Sequence, residues 1–169
     1  IGYSSKHLMA LINDVLDMSK ISEGKIRIAH ENFDLEQVVE SISSIIYPQA
    51  AAKGLIFNVP LIDLSTTVMT GDSLRLNQIL LNLLSNALKF TPAGGTVRLE
   101  IRQLLRTEDK TRLRFTVSDT GIGMSDPFME RLFEPFEQED NRAVQTFGGT
   151  GLGMPITKNL VTLMGGTIT

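Results

Sequence analysis

The sequence predicts an α+β fold, namely a two-layer α/β sandwich of helices packed on a sheet, preceded by a long N-terminal helix. Two observations predict this class. Apolar residues recur at helical spacing over residues 1–22, and segments with strand and helix patterns follow one another from residue 24 onward. We therefore expect two regions, a partial helical domain over residues 1–23 and an α/β domain over residues 24–169 whose C-terminal end is truncated.

The N-terminal helix has a near-heptad apolar stripe. It comprises Ile1, Leu8, Leu11, Ile12, Val15, Met18 and Ile21. No neighbouring segment of the sequence offers a matching surface, so pairing with another helix or another chain is one interpretation. Ordinary packing of the stripe on its own domain is the alternative.

Helix and strand signals divide the remaining chain. The expected elements are a strand over 25–33, a helix over 34–52, strands over 55–59 and 67–69, a helix from Asp72 to Phe90, a hairpin of strands over 95–105 and 111–119, and a helix over 152–164. The final helix should end at Gly165-Gly166. Residues 120–150 fit none of these patterns, and a loop this long inside a compact domain is usually functional, so we expect a mobile lid.

Composition excludes several classes of function. The net charge is −3, with 16 basic against 19 acidic residues, so the strong basic patch of a nucleic-acid-binding protein is absent. The chain has no cysteine and only two histidines, His7 and His30, which excludes a thiolate zinc site and disulfides. No apolar run approaches the ~20 residues of a membrane span. The absence of cysteine fits a reducing cytoplasm. Both ends of the sequence interrupt a pattern, so we expect a cytoplasmic region of a longer protein.

Over residues 75–89, the helix predicted from Asp72 to Phe90 has one polar strip on a surface that is otherwise apolar apart from Asn77. When the helix is wound at ~100° per residue, the strip comprises Arg75, Gln78, Asn82, Ser85, Asn86 and Lys89. A solvated helix face normally uses Glu and Lys, whereas carboxamide oxygens can join the shell of a hard cation and a lysine can meet phosphate. The strip therefore indicates a ligand cleft, with a solvent-exposed face as the alternative.

Two glycine clusters add candidate binding residues. Asp119, followed by Gly121 and Gly123, ends an apolar strand, where a carboxylate can accept from the exocyclic amine of a base and glycines admit a flat ring. A plain turn is the alternative here. The second cluster, residues 148–153, leads into a helix whose free N–H groups can hold phosphate, although a hinge would have the same composition. It matches neither the Walker A loop nor the dinucleotide-binding fingerprint.

Taken together, the motifs resemble those of sensor histidine kinases. In order, the similar segments are the N box (residues 82–91), the first glycine box (119–123), the F box (133–136) and the second glycine box (149–153). Residues 7–20 are similar to the second helix of that family's dimerisation domain. The resemblance implies a Bergerat-type ATP-binding fold, shared with DNA gyrase, MutL and the ninety-kilodalton heat-shock chaperone. It also implies transfer of the ATP γ-phosphoryl group to a histidine and then to an aspartate of a response-regulator receiver domain.

The same resemblance implies a role for each motif residue. The residues implied to act in phosphoryl transfer are Asn82, Asn86 and Lys89, with Asn86 binding Mg²⁺ and the other two near the phosphates. Phe90 would lie near the nucleoside, Asp119 would hold the adenine amine, and Gly121 and Gly123 would shape that pocket. Phe133 and Phe136 would belong to the lid. Phosphate contacts are implied for Gly149, Thr150, Gly151, Leu152 and Gly153.

Two departures from the family pattern are informative. Neither His7 nor His30 has the context of the phosphoacceptor histidine, so we expect that histidine outside these residues, with His7 on a helix surface and His30 in a strand. Pro155 replaces a small residue but is tolerated in the first turn of a helix. The resemblance also implies a homodimer through the N-terminal helix and membrane attachment only through other parts of the parent.

Two other classes of protein remain as alternatives. An ATP-driven clamp or chaperone would carry a water-activating Glu where this chain has Asn82, and an amide cannot take the proton. A binding module without catalysis would not need an intact set of motifs.

Overall fold

The structure is a computed structural model that describes residues 2–139 and 150–169. It contains the helices α1 (Gly2–Ser22), α2 (Leu35–Lys53), α3 (Ser73–Phe90), α4 (Asp126–Glu130) and α5 (Gly153–Leu163). It contains the strands β1 (Glu31–Asp34), β2 (Ile56–Asn58), β3 (Leu61–Ile62), β4 (Val68–Gly71), β5 (Thr96–Arg106) and β6 (Thr111–Asp119). The chain forms two compact units, Ala29–Gly123 and Ile1–Ile28 with Met124–Thr169.

The Ala29–Gly123 unit is built on a four-stranded sheet. The central strand β5 pairs in parallel with β2 and β3 on one side and antiparallel with β6 on the other. Strands β1 and β4 form a separate antiparallel pair. Helices α2 and α3 contact each other, and α3 also contacts β5 and β6. The predicted two-layer α/β sandwich is therefore confirmed.

The two faces of the sheet differ in chemistry because side chains alternate along β5. Val97, Leu99 and Ile101 are fully buried. The intervening positions carry charges, and Glu100 accepts hydrogen bonds from Arg98 at 2.9 Å and from Arg102 at 3.3 Å. The apolar face is thus the inner face of the sandwich.

Side-chain and glycine caps fix the ends of the two helices. Asp34 accepts from the backbone N–H of Glu36 at 2.9 Å, and Gly54 ends α2 in the left-handed conformation with φ of 72°. Asp72 accepts from the backbone N–H of Arg75 at 3.0 Å and begins α3. Both helices lie within one residue of their predicted bounds.

Two details of the strand prediction are wrong. The expected strand over 25–33 begins only at Glu31, which pairs with Gly71, the last residue of β4. The next residue, Asp72, caps α3, so β4 provides no further strand partner. The Ala29 N–H donates to the Asp72 carboxylate at 3.0 Å instead. His30 accordingly precedes β1 rather than lying within a strand. The expected strand over 55–59 is shorter and is followed by β3, which was not predicted.

The other unit holds α1, α4 and α5, and α1 contacts α5. The α1 helix ends at Ser22 and is followed by Gly24, which has φ of 66° and donates to the Ile21 carbonyl at 3.0 Å. The predicted helix over 1–22 and the predicted helix over 152–164 are confirmed within one residue at each described end. Among the α1 side chains that the structure describes, five large apolar ones are exposed, namely Leu8, Met9, Ile12, Val15 and Leu16. No helix in the described ranges is long and apolar enough to cross a membrane.

The segment expected to form a lid is partly helical. Its residues 126–130 form α4, which was not predicted, and Arg131 and Glu137 form an ion pair at 2.8 Å in the turns that follow. Residues 140–149 lie outside the described part of the chain. The proposed mobility of 120–150 stays a prediction.

Candidate functional site

The polar strip of α3 is half-buried along its length. Asn82, Ser85, Asn86 and Lys89 are each intermediate in exposure, whereas Leu84, Ala87 and Leu88 on the rest of the same turns are buried. At the start of the strip, the guanidinium of Arg75 donates to the Gln78 carboxamide at 2.8 Å. Because these carboxamide groups and the Lys89 ammonium group are only half-buried, water can solvate them when no ligand is present, and a polar ligand can replace that water.

Asp119 is the last residue of β6, on the inner face of the sheet. Its register partner is Val97, whose side chain is fully buried, so Asp119 lies on the side that α3 covers. The residue is nevertheless exposed, and its Oδ1 accepts from the Gly121 N–H at 2.8 Å. The second carboxylate oxygen, Oδ2, is also a hydrogen-bond acceptor and could accept from an amine of a ligand.

The turn after Asp119 is hydrogen-bonded to both layers of the sandwich. The Ile122 N–H donates to the carbonyl of Phe90, the last residue of α3, at 3.1 Å. Thr120 exchanges two hydrogen bonds with Thr96 at the start of β5, at 2.9 and 3.1 Å. These bonds hold the carboxylate of Asp119 close to the C-terminal end of the polar helix.

The two glycines of this turn are needed for different physical reasons. A β-carbon at Gly121 would overlap the Phe90 carbonyl oxygen and lie 2.7 Å from the Asp119 carboxylate. A β-carbon at Gly123 would meet nothing within 4 Å, but the residue has φ of 72°, a backbone conformation that residues other than glycine rarely adopt. Gly121 therefore provides space and Gly123 provides a backbone conformation.

The second glycine box lies in the other unit and contacts the F box. The Phe136 N–H donates to the Gly151 carbonyl at 2.9 Å, and a β-carbon at Gly151 would lie 2.6 Å from the Phe136 α-carbon. The Thr150 hydroxyl donates to the Asp14 carboxylate of α1 at 2.8 Å and accepts from the Leu152 N–H at 3.1 Å. Gly149 lies outside the described residues.

The predicted site residues thus fall into two groups. The Ala29–Gly123 unit contains Asn82, Asn86, Lys89, Phe90, Asp119, Gly121 and Gly123, and the other unit contains Thr150, Gly151, Leu152 and Gly153. Pro155 is buried in the first turn of α5, where its missing N–H has no intrahelical partner to lose. Lys158 lies 4.8 Å from the centre of the Phe133 ring.

Sequence reasoning missed three residues that support these groups. Asp14 bonds to Thr150, Thr120 bonds to Thr96, and Lys53 bonds to the end of α3. Asp14 and Lys53 are separated from their partners by 136 and 35 residues, and no local pattern reports such a contact. Thr120 lies inside a motif, but its hydroxyl gave no separate signal.

The oxygen donors present fit a magnesium ion that arrives with a nucleotide. Among the described residues, no group of three or more His, Cys, Asp or Glu side chains could hold a metal ion. Mg²⁺ in phosphoryl-transfer sites keeps waters and phosphate oxygens and needs only one or two protein oxygens. The carboxamide oxygen of Asn86 on the half-buried strip is a donor of this kind.

Comparisons with known proteins agree with the motifs. Residues 71–169 match the family described as histidine kinase-, DNA gyrase B-, and HSP90-like ATPase. The chain is 42% identical over 168 residues to the sensory/regulatory protein RpfC of Xanthomonas campestris pv. campestris, covering 99% of this chain and 23% of that protein. It is 42% identical over 167 residues to the autoinducer 2 sensor kinase/phosphatase LuxQ of Vibrio vulnificus, covering 98% of this chain and 19% of that protein.

Solved structures extend the agreement to the fold. Full-length ShkA in complex with AMPPNP matches with a TM-score of 0.79 and 35% identity, over 96% of this chain and 32% of that one. The histidine kinase AdeS of Acinetobacter baumannii matches with a TM-score of 0.73 and 24% identity, over 98% of this chain and 72% of that one, which shows the fold alone.

The chain spans about a fifth of the length of the sequence relatives it matches. Its match to the family covers more than half of its own residues, and that match includes the polar helix, the Asp119 turn and the second glycine box. The chain therefore belongs to the histidine kinase-, DNA gyrase B-, and HSP90-like ATPase family, as an ATP-binding catalytic region of the sensor histidine kinase type.

Proposed function

We propose that this chain binds Mg·ATP and positions its γ-phosphoryl group for transfer to a histidine outside these residues, and from there to an aspartate of a response-regulator receiver domain. The observation that carries the proposal is the juxtaposition of Asp119 with the end of α3, through the hydrogen bond between Ile122 and Phe90. A base-binding carboxylate then lies beside a helix whose polar strip can meet phosphates. The similar ShkA structure is a complex with AMPPNP, which supports the choice of ligand.

The proposed contacts follow the chemistry of the groups. Asp119 accepts from the adenine amine, Phe90 packs near the nucleoside, and the ammonium group of Lys89 neutralises phosphate charge. Asn82 donates to a phosphate oxygen. For the second glycine box we propose phosphate contacts from the backbone N–H groups, from Gly149 through Gly153.

A magnesium ion would be held by the carboxamide oxygen of Asn86 together with phosphate oxygens and water. When bound, the ion neutralises charge that develops on the phosphates during transfer. Asn86 fixes where that charge is neutralised, because its helix is capped at its start by Asp72 and tied at its end to the Asp119 turn.

The proposed transfer exchanges one bond to phosphorus for another in each of two steps. A ring nitrogen of the acceptor histidine attacks the γ-phosphorus, the bond from that phosphorus to the β,γ-bridging oxygen breaks, and ADP leaves with the electron pair. The imidazolium then loses its proton to solvent. In the second step, a carboxylate oxygen of the receiver aspartate attacks the same phosphorus, the nitrogen–phosphorus bond breaks, and the histidine ring leaves with the electron pair and takes up a proton from solvent. Positioning and charge neutralisation are what the protein must supply to such reactions.

We also propose that the parent protein dimerises through α1. The exposed apolar side chains of this helix, among them Leu8, Ile12 and Val15, would be covered in a helical bundle made by two chains. A cytoplasmic location, where ATP and receiver domains are found, is part of the same proposal. Any membrane attachment would come from other parts of the parent.

The reaction is tested with ATP labelled at the γ-phosphate. We expect the 169-residue chain alone to bind ATP but to incorporate no base-stable label, because neither His7 nor His30 is the acceptor. A longer stretch of the same protein that includes the proposed acceptor histidine should become labelled, and the label should survive base and be lost in acid. A labelled band from the 169-residue chain alone would contradict the placement of the acceptor. If the longer chain stays unlabelled and releases the label only as free phosphate, a clamp-type ATPase would be favoured.

Asn86→Ala is expected to remove most of the effect of Mg²⁺ on nucleotide binding. The rate of phosphoryl transfer by the longer chain should fall roughly 100-fold, as it does in other enzymes when one contact to the charge that develops in the transition state is removed. Titration calorimetry with ATP, with and without Mg²⁺, measures the first effect. Asn77→Ala is the matched control, since Asn77 lies on the same helix outside the polar strip. Equal dependence on Mg²⁺ in the Asn86 variant and the control would contradict the assignment.

A further inference from the structure

At the C-terminal end of α3, each of the last four backbone carbonyls accepts a hydrogen bond. The last four carbonyls of a helix have no partner within the helix. Here the Thr91 hydroxyl donates to the Ala87 carbonyl at 2.7 Å, and the Ile122 N–H donates to the Phe90 carbonyl at 3.1 Å. The two carbonyls between them need another donor.

That donor is the ammonium group of Lys53. Its Nζ lies 2.6 Å from the Leu88 carbonyl oxygen and 2.9 Å from the Lys89 carbonyl oxygen. Lys53 is the last residue of α2, and a positive charge at the C-terminal end of α3 also complements the helix dipole. One side chain of α2 therefore satisfies half of the terminal carbonyls of α3.

The surrounding backbone makes Lys53 part of a fixed support. Gly54, the next residue, accepts from the Gly94 N–H at 2.8 Å, and the Ile56 N–H donates to the Gly95 carbonyl at 3.0 Å. The end of α2 is thus bonded to the loop that follows α3 as well as to α3 itself. Movement of the last turn of α3 away from this support would break the two bonds to Lys53.

We infer that Lys53 is a positioning residue for nucleotide binding, because it fixes the turn of α3 that carries Lys89 and Phe90 against the Asp119 turn. The inference rests on the proposed function. Lys53 acts through other residues: the Phe90 carbonyl that it helps to fix accepts from Ile122, three residues after Asp119. Loss of its hydrogen bonds should displace the adenine side of the site as well as the phosphate side.

The experiment compares Lys53→Met, Lys53→Arg and Lys110→Met. Methionine keeps an unbranched stem of similar length and removes the donor, arginine keeps a charged donor, and Lys110 is an exposed lysine in the hairpin turn between β5 and β6. We expect Lys53→Met to bind both ATP and uncharged adenosine about tenfold more weakly, as expected for a small misplacement of binding groups. Lys53→Arg should recover most of the affinity, and Lys110→Met should bind like the wild type.

Three patterns of results distinguish the possible roles of Lys53. A role in stability alone would lower the melting temperature of Lys53→Met and leave both affinities unchanged well below that temperature. A long-range charge effect would weaken ATP but not adenosine, and the loss would disappear at high salt. Positioning predicts the loss for both ligands together with a shifted backbone amide resonance of Ile122. Either of the first two patterns overturns the inference.

A further comparison distinguishes failure of this inference from failure of the proposed function. If Asp119→Asn lowers affinity for ATP and Lys53→Met does not, only the role of Lys53 is wrong. If neither the wild type nor any variant binds ATP or adenosine, the proposed function is wrong as well.

Discussion

Asp119→Asn is expected to lower the affinity for ATP by about ten- to a hundredfold, the range of a hydrogen bond to a charged group, while leaving the fold intact. Asparagine keeps one oxygen, and that oxygen should continue to accept from the Gly121 N–H, which is 2.8 Å from Asp119 Oδ1. The amide nitrogen then replaces the second carboxylate oxygen. It would face the adenine amine, so two donors would oppose each other where the proposed wild-type contact pairs an acceptor with a donor.

The same substitution should change the preference between purine bases. Guanine presents a carbonyl oxygen where adenine presents the amine, and an asparagine amide can donate to it. We therefore expect the ratio of ATP to GTP affinity to fall about tenfold or more, since an unpaired buried donor or acceptor costs about 1–3 kcal/mol. Competition between the two nucleotides for the site measures this ratio.

Asp109→Asn is the control for this prediction. Asp109 lies exposed in the turn between β5 and β6, and its substitution removes the same charge without touching the Asp119 turn. Melting curves of both variants should match that of the wild type within a few degrees. An Asp119 variant that binds ATP with unchanged affinity and still excludes GTP would show that another group selects the base.

The sequence was most informative where a structural feature depends on neighbouring residues. Helix α3 could be predicted almost to the residue, because Asp72 caps its start and apolar side chains surround a single polar strip. The hairpin of β5 and β6 could be predicted because both strands alternate in polarity and the turn between them is short. The candidate base-binding residue followed directly, since Asp119 ends the second of these strands.

Features that depend on distant partners could not be predicted. Residues 25–30 look like a strand, but the Ala29 N–H bonds to Asp72, 43 residues away, and strand pairing begins only at Glu31. In the sequence, Lys53 is an ordinary basic residue in the last turn of α2. Nothing near it indicates that its ammonium group donates to two backbone carbonyls of another helix. Local patterns specify the period and the ends of an element, whereas its partners depend on the packed fold.

Gly121→Ala is expected to damage the site more than any other single methyl group added to the Asp119 turn. The new β-carbon would overlap the Phe90 carbonyl oxygen, which is backbone and cannot rotate away. The turn must then move from the end of α3 and lose the Ile122–Phe90 hydrogen bond of 3.1 Å. We expect a loss of about 1–3 kcal/mol in the free energy of unfolding, as for other overpacked positions.

Binding should suffer at the same time, because the displaced turn carries the Asp119 carboxylate. We expect at least about tenfold weaker ATP binding at a temperature where the variant is folded. Gly123→Ala is the comparison. It adds strain of about 1–2 kcal/mol at a positive φ, but its β-carbon meets nothing within 4 Å. If Gly121 is needed because it avoids steric contact with α3, the two variants should lose similar amounts of stability. Gly121→Ala should nevertheless lose much more affinity for ATP than Gly123→Ala. Equal loss of affinity would instead mean that the turn needs flexible backbone at both positions, and that the close approach to Phe90 has no special role in binding.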